Sequence, residues 1–194
     1  MESVLEMKER LRLPLLVAPM FLISNPEMVI QACKSGIIGS FPALNARTGE
    51  ILNEWMASIK DELMQFESDN PIKKAAPWAV NFITHRSNKR YKEDMKLIEM
   101  HKPPIVITSL GDPSPVVEIV HQYGGLVFTD VISVSFAKKA IAKGSDGLIL
   151  VSAGAGGHGG TYSPFAFIHE VRSFFQGPII LAGGMSRGED ILAA

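Results

Sequence analysis

The chain has 194 residues, 46% of them hydrophobic, and a formal net charge of −1. This composition suits a folded domain with one sizeable core and argues against a disordered protein. A charge so close to zero provides no basic stripe for nucleic acid. The single cysteine, Cys33, excludes an internal disulfide framework and favours a reducing, cytoplasmic setting. The charged N-terminus and the short apolar runs predict neither a signal peptide nor a membrane helix.

Short, nearly continuous apolar runs recur along the chain and predict β-strands. Runs of four or five apolar residues are typical of strands that are buried on both faces of a parallel sheet. The seven predicted strands are residues 15–18, 37–41, 78–81, 105–108, 126–129, 147–151 and 179–182.

The segments between these runs carry signals of helices. Asn25 and Thr48 are good N-cap residues, Pro26 suits the first helical position, and glycine follows several of the segments. Apolar residues recur at three- and four-residue spacing in the longest segment. The clearest predicted helices are residues 26–35, 48–67, 113–123, 133–143 and 164–175. Regular alternation of strand and helix predicts an α/β fold.

Two α/β architectures fit this alternation, an open doubly wound sheet and a TIM-type (β/α)₈ barrel. All strand ends of a barrel converge on one face, whereas only the ends at the switch point converge in an open sheet. Unusual residues directly follow almost every predicted strand, which favours a single barrel domain over residues 1–194. These residues are Pro19, Met20, Asn45, Asn81, Ser109, Asp130 and the glycines within 154–160 and 183–184.

Two glycine-rich segments carry the clearest chemical signals. His158 lies in the run 154–160, and histidine titrates near neutral pH, so it can take a proton from a carbon acid. The neighbouring Gly156 and Gly157 would let a flat ring or a small substrate approach the backbone closely. Gly183 and Gly184 follow a strand and precede a helix, where backbone N–H groups suit a phosphate. No pair of histidines has the spacing of a metal site, so no metal is predicted.

The chain resembles the nitronate monooxygenases, also called 2-nitropropane dioxygenases, which are FMN-dependent (β/α) barrels. Six short pieces carry the resemblance, in order and each at a predicted strand end, and it extends over nearly the whole chain from Leu13 onwards. The pieces are Val17-Ala18-Pro19-Met20, Leu44-Asn45-Ala46-Arg47-Thr48, Val80-Asn81-Phe82, Thr129-Asp130-Val131, residues 153–160 and Ala182-Gly183-Gly184-Met185.

The resemblance implies roles for individual residues. His158 would be the catalytic base or the group that orients the nitronate, and Gly183-Gly184 would bind the FMN phosphate. The full set of implied FMN-binding residues is Ala18, Pro19, Met20, Asn81, Ser109, Asp130, Gly156, Gly157, Gly183 and Gly184.

Two features depart from the family pattern. Related enzymes continue with an eighth strand and a closing helix, whereas this chain stops at Ala194, early in the helix after the seventh predicted strand. The expected fold is therefore a barrel truncated after strand seven. In addition, Asp130 stands where some members carry a lysine, which changes the electrostatics expected beside the flavin.

The resemblance implies an FMN enzyme that uses O2 to oxidise alkyl nitronates or nitroalkanes to a carbonyl compound and nitrite. A related FMN barrel, such as an NAD(P)H-dependent enoyl reductase, is one alternative. A non-catalytic barrel fragment is another, because a barrel that lacks a strand leaves two unpaired edges. Such edges favour association with a second copy of the chain.

Overall fold

The computed structural model describes residues 4–157 and 159–194, and in these ranges strands and helices alternate. The strands are β1 Gly39–Pro42, β2 Trp78–Ile83, β3 Ile105–Ser109, β4 Leu126–Val131, β5 Gly147–Val151 and β6 Ile179–Ala182. The helices are α1 Val4–Glu9, α2 Pro26–Lys34, α3 Gly49–Asp69, α4 Tyr91–His101, α5 Ser114–Gln122, α6 Val134–Ala142, α7 Pro164–Arg172 and α8 Gly188–Ala193. A 3₁₀ turn, Ala43–Asn45, follows β1.

Predicted helix caps are confirmed by hydrogen bonds at the starts of the helices. The Asn25 side chain accepts from the N–H of Met28, 3.0 Å away, with Pro26 in the first helical position. Thr48 accepts from the N–H of Ile51 at 3.3 Å. Each cap satisfies an N–H group that has no partner inside its helix, so these sequence signals determine where α2 and α3 begin.

The six strands form one parallel sheet in the order β1-β2-β3-β4-β5-β6. A doubly wound sheet would reverse direction at a switch point, and this order does not. The fold is therefore an α/β half-barrel of the TIM type, as the sequence predicted. In the part of the chain that the structure describes, β6 pairs with β5 alone, so its other edge is open.

The first predicted strand, residues 15–18, is not a regular strand. It lies beside β1 as expected, but it forms one isolated parallel bridge between Leu16 and Ile38. Pro14 and Pro19 flank the segment, and proline lacks the N–H that would extend the ladder in either direction. The place of the first barrel strand is therefore taken by a short segment that is joined to its neighbour by one β-bridge.

Apolar side chains fill both faces of the sheet. One face packs on the helices, and the other forms the interior of the half-barrel. Met7 of α1 packs in the interior cluster with Ile105 and Leu126, which begin β3 and β4. Helix α1 therefore covers the N-terminal end of the half-barrel and leaves the opposite end as the mouth. No described helix is both long enough and apolar enough to span a membrane.

Candidate functional site

A chain of polar side chains crosses three strand ends on the interior face of the mouth. Asn81 of β2 donates through Nδ2 to the Ser109 hydroxyl, 2.6 Å away, and to the Ile107 carbonyl at 3.3 Å. The Ser109 hydroxyl donates in turn to Oδ2 of Asp130 at the end of β4. Three residues proposed from the sequence as flavin contacts are thus joined into one unit.

The carboxyl group of Asp130 has an unusual protonation equilibrium. Its removal from water raises its pKa to about 6, and the hydrogen bond from Ser109 opposes that rise. A carboxylate in an apolar setting is less stable than its neutral form, so desolvation outweighs the one hydrogen bond. Asp130 therefore exchanges a proton within the pH range in which enzymes work, which is common at functional sites.

The loops after β5 and β6 are in close contact through their glycines. A Cβ atom added at Gly184 would lie 2.9 Å from the carbonyl oxygen of Gly154, and both glycines have positive φ angles. Ser152, which is fully buried, donates its hydroxyl to the Ala182 carbonyl at 2.6 Å. The two loops therefore form one wall of the mouth, which only glycine permits at these two positions.

Open space surrounds part of the first glycine loop. A Cβ atom at Gly156 or Gly157 would meet no atom of the described residues within 4 Å. The absence of side chains there leaves room for a ligand against the backbone rather than for packing within the protein. His158, the proposed catalytic residue, lies outside the described residues.

A side chain of helix α8 binds two backbone N–H groups that follow Gly183 and Gly184 in the chain. The Asp190 carboxylate accepts from the N–H groups of Ser186 and Arg187 at 3.0 and 2.9 Å. These bonds lower the pKa of Asp190. The two N–H groups that directly precede α8 are therefore occupied, and a phosphate at this loop would rely on other N–H groups, such as those of Gly183 and Gly184.

Residues 18–24, here called the Met20 turn, form the opposite part of the mouth. The N–H of Met20 donates to the Ser24 hydroxyl at 2.9 Å. The side chain of Asn45 bonds to three backbone groups of the same turn. The sequence marked Asn45 as an unusual strand-end residue but gave it no role, and Ser24 was missed because nothing around it forms a motif.

Apolar side chains surround the mouth and are exposed. Phe21, Leu22 and Ile23 of the Met20 turn are 60%, 67% and 58% exposed, and Leu110 and Ile132 follow β3 and β4. Leu22 and Leu110 also have positive φ angles, 66° and 55°. Leucine rarely adopts this conformation, and such strain is concentrated at ligand sites. The entrance thus suits a ligand with apolar surface.

The proposed site residues therefore form three groups at one end of the half-barrel. These are the Asn81–Ser109–Asp130 chain, the paired glycine loops and the Met20 turn, and no hydrogen bond joins one group to another within residues 4–157 and 159–194. Of the other described histidines, His85 bonds to Ser87 in its own loop, and His121 bonds to Asp146 at 2.9 Å, 25 residues further along the chain. Among the described residues, no cluster of His, Cys, Asp or Glu could hold a metal ion.

A family model for nitronate monooxygenase matches residues 3–194. The chain belongs to the nitronate monooxygenase family. A nitronate monooxygenase from Neurospora crassa is 26% identical over 209 aligned residues, which cover 91% of this chain and 54% of the relative. The chain thus spans about half the length of that relative.

Solved structures agree with the half-barrel fold. FabK from Thermotoga maritima superimposes with a TM-score of 0.81 at 22% identity, covering 98% of this chain and 56% of that one. A nitroalkane oxidase from Streptomyces ansochromogenes gives a TM-score of 0.80 at 18% identity, with 96% and 64% covered. At these identities the likeness concerns the fold. This member of the nitronate monooxygenase family therefore corresponds to a truncated barrel.

Proposed function

We propose that the mouth of the half-barrel binds FMN and that the site serves the oxidation of alkyl nitronates or nitroalkanes by O2 to a carbonyl compound and nitrite. Membership of the nitronate monooxygenase family supports the reaction class. The observation that carries the proposal is the Asn81–Ser109–Asp130 chain, which lies on the interior face near the ends of β2, β3 and β4.

The donors and acceptors of the mouth suit the two ends of FMN. A flavin ring has alternating C=O and N–H groups along one edge. Asn81 Oδ1 could accept from such an N–H group, and the Asp130 carboxyl could donate when protonated or accept when ionised. Gly156 and Gly157 leave open space that a flat ring could fill. The N–H groups of Gly183 and Gly184 would meet the phosphate. When bound, FMN supplies the redox chemistry, and the protein supplies binding and orientation.

Other residues of the mouth would handle the substrate proton, contact the flavin ring and exclude water. His158 is proposed to take the α-proton of a nitroalkane or to orient the nitronate, since imidazole can do either near neutral pH. Ala18, Pro19 and Met20 would form the wall against the ring, with the soft Met20 side chain in contact. The exposed apolar residues of the entrance would exclude water from the alkyl part of the substrate.

The first experiment measures whether the purified 194-residue chain binds FMN. Flavin absorption bands with FMN released on denaturation, identified by mass, would support the proposal. A titration with riboflavin is the matched control, because riboflavin lacks the phosphate and should bind more weakly if the Gly183-Gly184 loop is used. A colourless chain that takes up no added FMN would contradict the proposal for this chain.

Turnover then separates the proposed reaction from the enoyl-reductase alternative. Nitrite and carbonyl formation from an alkyl nitronate under air, in equal amounts, would support nitronate oxidation. Rapid anaerobic bleaching of bound flavin by NADH or NADPH, without nitrite formation under air, would support the alternative. FMN binding with neither activity would leave the chain as a flavin-binding fragment and contradict the proposed reaction.

A further inference from the structure

We infer that Asn45 is a positioning residue: its side chain holds the backbone of the Met20 turn in the conformation that lines the mouth. The inference rests on the proposed function, because the turn's shape matters for FMN only if the mouth binds FMN. Asn45 lies in the 3₁₀ turn after β1 and is 9% exposed. It lies more than twenty residues from its partners in the chain, so its contacts are tertiary.

The Asn45 amide bonds to the turn at three points. Its Oδ1 accepts from the N–H of Leu22 at 3.1 Å, and its Nδ2 donates to the carbonyls of Met20 and Ser24 at 3.0 and 2.8 Å. Both hydrogens of the amide nitrogen and one lone pair of the amide oxygen are therefore directed at residues 20–24 of the Met20 turn. Another side chain of similar size, such as leucine or aspartate, cannot provide one acceptor and two donors.

The turn needs such support because its backbone is strained. Leu22 has a φ angle of 66°, which is unfavourable for a residue with a Cβ atom, and its side chain is mostly exposed and cannot compensate by burial. The Ser24 hydroxyl, which accepts from Met20 N–H, is the turn's own side-chain support. The bond from Leu22 N–H to Asn45 therefore fixes the strained residue directly.

The backbone next to Asn45 is itself held by a residue of the loop before α4. Arg90 donates through Nη1 to the carbonyl of Ala46, the residue next to Asn45, at 2.5 Å. Arg90 also binds Oδ1 of Asp94, a fully buried carboxylate in α4, at 2.8 Å. A buried ion pair of this kind has little freedom to move, so the segment that carries Asn45 is anchored to the helix layer.

Amide hydrogen exchange on the whole chain tests whether Asn45 holds the turn. Asn45→Ala should accelerate exchange of the Leu22 amide by about tenfold or more, because its acceptor is lost. Asn70→Ala is the control. The Asn70 side chain also donates to a backbone carbonyl, that of Phe66 at 2.9 Å at the end of α3, and among the described residues it bonds neither to the turn nor to Arg90. Exchange at Leu22 should stay within about twofold of the parent rate in this control.

The absorption spectrum and affinity of bound FMN test whether the turn's shape matters for the site. Asn45→Ala should shift the visible flavin bands and weaken FMN binding by about tenfold, whereas Asn70→Ala should change neither. Unchanged Leu22 exchange in Asn45→Ala overturns the inference. Faster exchange with an unaltered flavin spectrum and affinity also overturns it, because Asn45 would then be structural only.

Two other results need separate treatment: an Asn45→Ala variant that does not fold and a parent chain that binds no FMN. If Asn45→Ala does not fold, Asn45→Asp replaces it. Aspartate has the same shape and keeps the acceptor for Leu22 N–H, but it loses both donors, so exchange of the Ile23 and Ser24 amides, which bond to Met20 O, should increase. A parent chain that binds no FMN contradicts the proposed function and any effect of the turn on FMN, whereas exchange of the Leu22 amide still shows whether Asn45 holds the turn.

Discussion

The hydroxyl of Ser109 donates a hydrogen bond to the carboxyl group of Asp130, between the ends of β3 and β4. Asn81 donates to the same hydroxyl, so Ser109 uses its one hydrogen on Asp130 and its oxygen on Asn81. The order of donors along this chain is therefore determined by Asn81, whose Nδ2 can only donate. Asp130 is the acceptor at its end and the group whose charge can change.

The charge on Asp130 should make the protein's stability depend on pH. Its folded-state pKa of about 6 lies above the ordinary value of 3.8, so the folded protein binds more protons between these values. The free energy of unfolding should therefore fall as pH rises through this window and reach its lower level above about pH 6, with a total change of up to roughly 3 kcal/mol. Urea unfolding at pH 4.5 and pH 7.5 should capture roughly 2 kcal/mol of this change, because pH 4.5 still lies above the ordinary value of 3.8. Asp130→Asn should remove this component.

Asp112 is the internal control for this prediction because its pKa changes in the opposite direction. The ion pair with Lys143 and the hydrogen bonds from Ser114 hold the pKa of Asp112 at about 2. Its stabilising contribution is present above the ordinary pKa of 3.8 and is lost as pH falls through about 2. Asp112→Asn should therefore leave the decrease between pH 4.5 and 7.5 intact. An unchanged pH dependence in Asp130→Asn would contradict the assignment to Asp130.

Removal of the Ser109 hydroxyl should raise the pKa of Asp130 further. The hydroxyl stabilises the carboxylate, and Ser109→Ala deletes that donor while desolvation remains. The pKa can be followed by NMR titration of the Asp130 carboxyl carbon. Thr108→Val is the matched control, because Thr108 is the neighbouring residue but its hydroxyl contacts Thr129 on the helix-facing side. A downward shift in Ser109→Ala, or an equal shift in both variants, would contradict the prediction.

The fold was predictable because its signals are local. Buried parallel strands are read from continuous apolar runs, and Asn25 and Thr48 cap the helices that they were expected to cap. A regular ladder was expected at residues 15–18 from their apolar character. It did not form, because the flanking prolines lack the N–H groups that would extend it. Local patterns thus gave the order of elements more reliably than the extent of each one.

Contacts within the site were less predictable because they depend on register. Asn81 and Ser109 are 28 residues apart, and Ser109 and Asp130 are 21 apart. The sequence placed each just after a strand, whereas the structure places all three within the C-terminal parts of β2, β3 and β4, because these strands continue further than their apolar runs. Only the relative shift of the three strands brings the side chains into one hydrogen-bonded chain. The role of Asn45 depends on the positive φ angle of Leu22, and no residue-type preference predicts that conformation for leucine.

The glycines of the mouth should separate into structural and ligand-contacting positions when each is replaced by alanine. Gly184→Ala should lower the free energy of unfolding by roughly 1–3 kcal/mol, because its φ angle is 75° and the new Cβ would lie 2.9 Å from Gly154 O. The Cβ atom of Gly156→Ala would meet no atom within 4 Å in the part of the chain that the structure describes, so stability should be unchanged or slightly increased.

FMN titration of the same two variants completes this comparison. If a ring lies against Gly156, the added methyl group should weaken FMN binding by about tenfold while urea unfolding of the free protein is unaffected. Gly188→Ala controls for the substitution itself, because its added Cβ also meets no described atom within 4 Å, and it should leave FMN binding unchanged. Equal FMN affinity in Gly156→Ala and the parent chain would remove Gly156 from the proposed binding site.

Replacement of His158 should separate catalysis from cofactor binding. If His158 takes or steers the α-proton, His158→Ala should retain FMN and lose about 10²–10⁴-fold in nitrite formation from nitroalkanes, because proton transfer by a positioned group contributes a factor of that size. A preformed nitronate has already lost this proton, so a base role predicts a smaller loss with nitronate than with nitroalkane. An orienting role predicts similar losses with both. His169→Ala, an exposed position on α7, is the matched control and should turn over normally. Unchanged nitrite formation by His158→Ala with both substrates would exclude His158 from the chemistry.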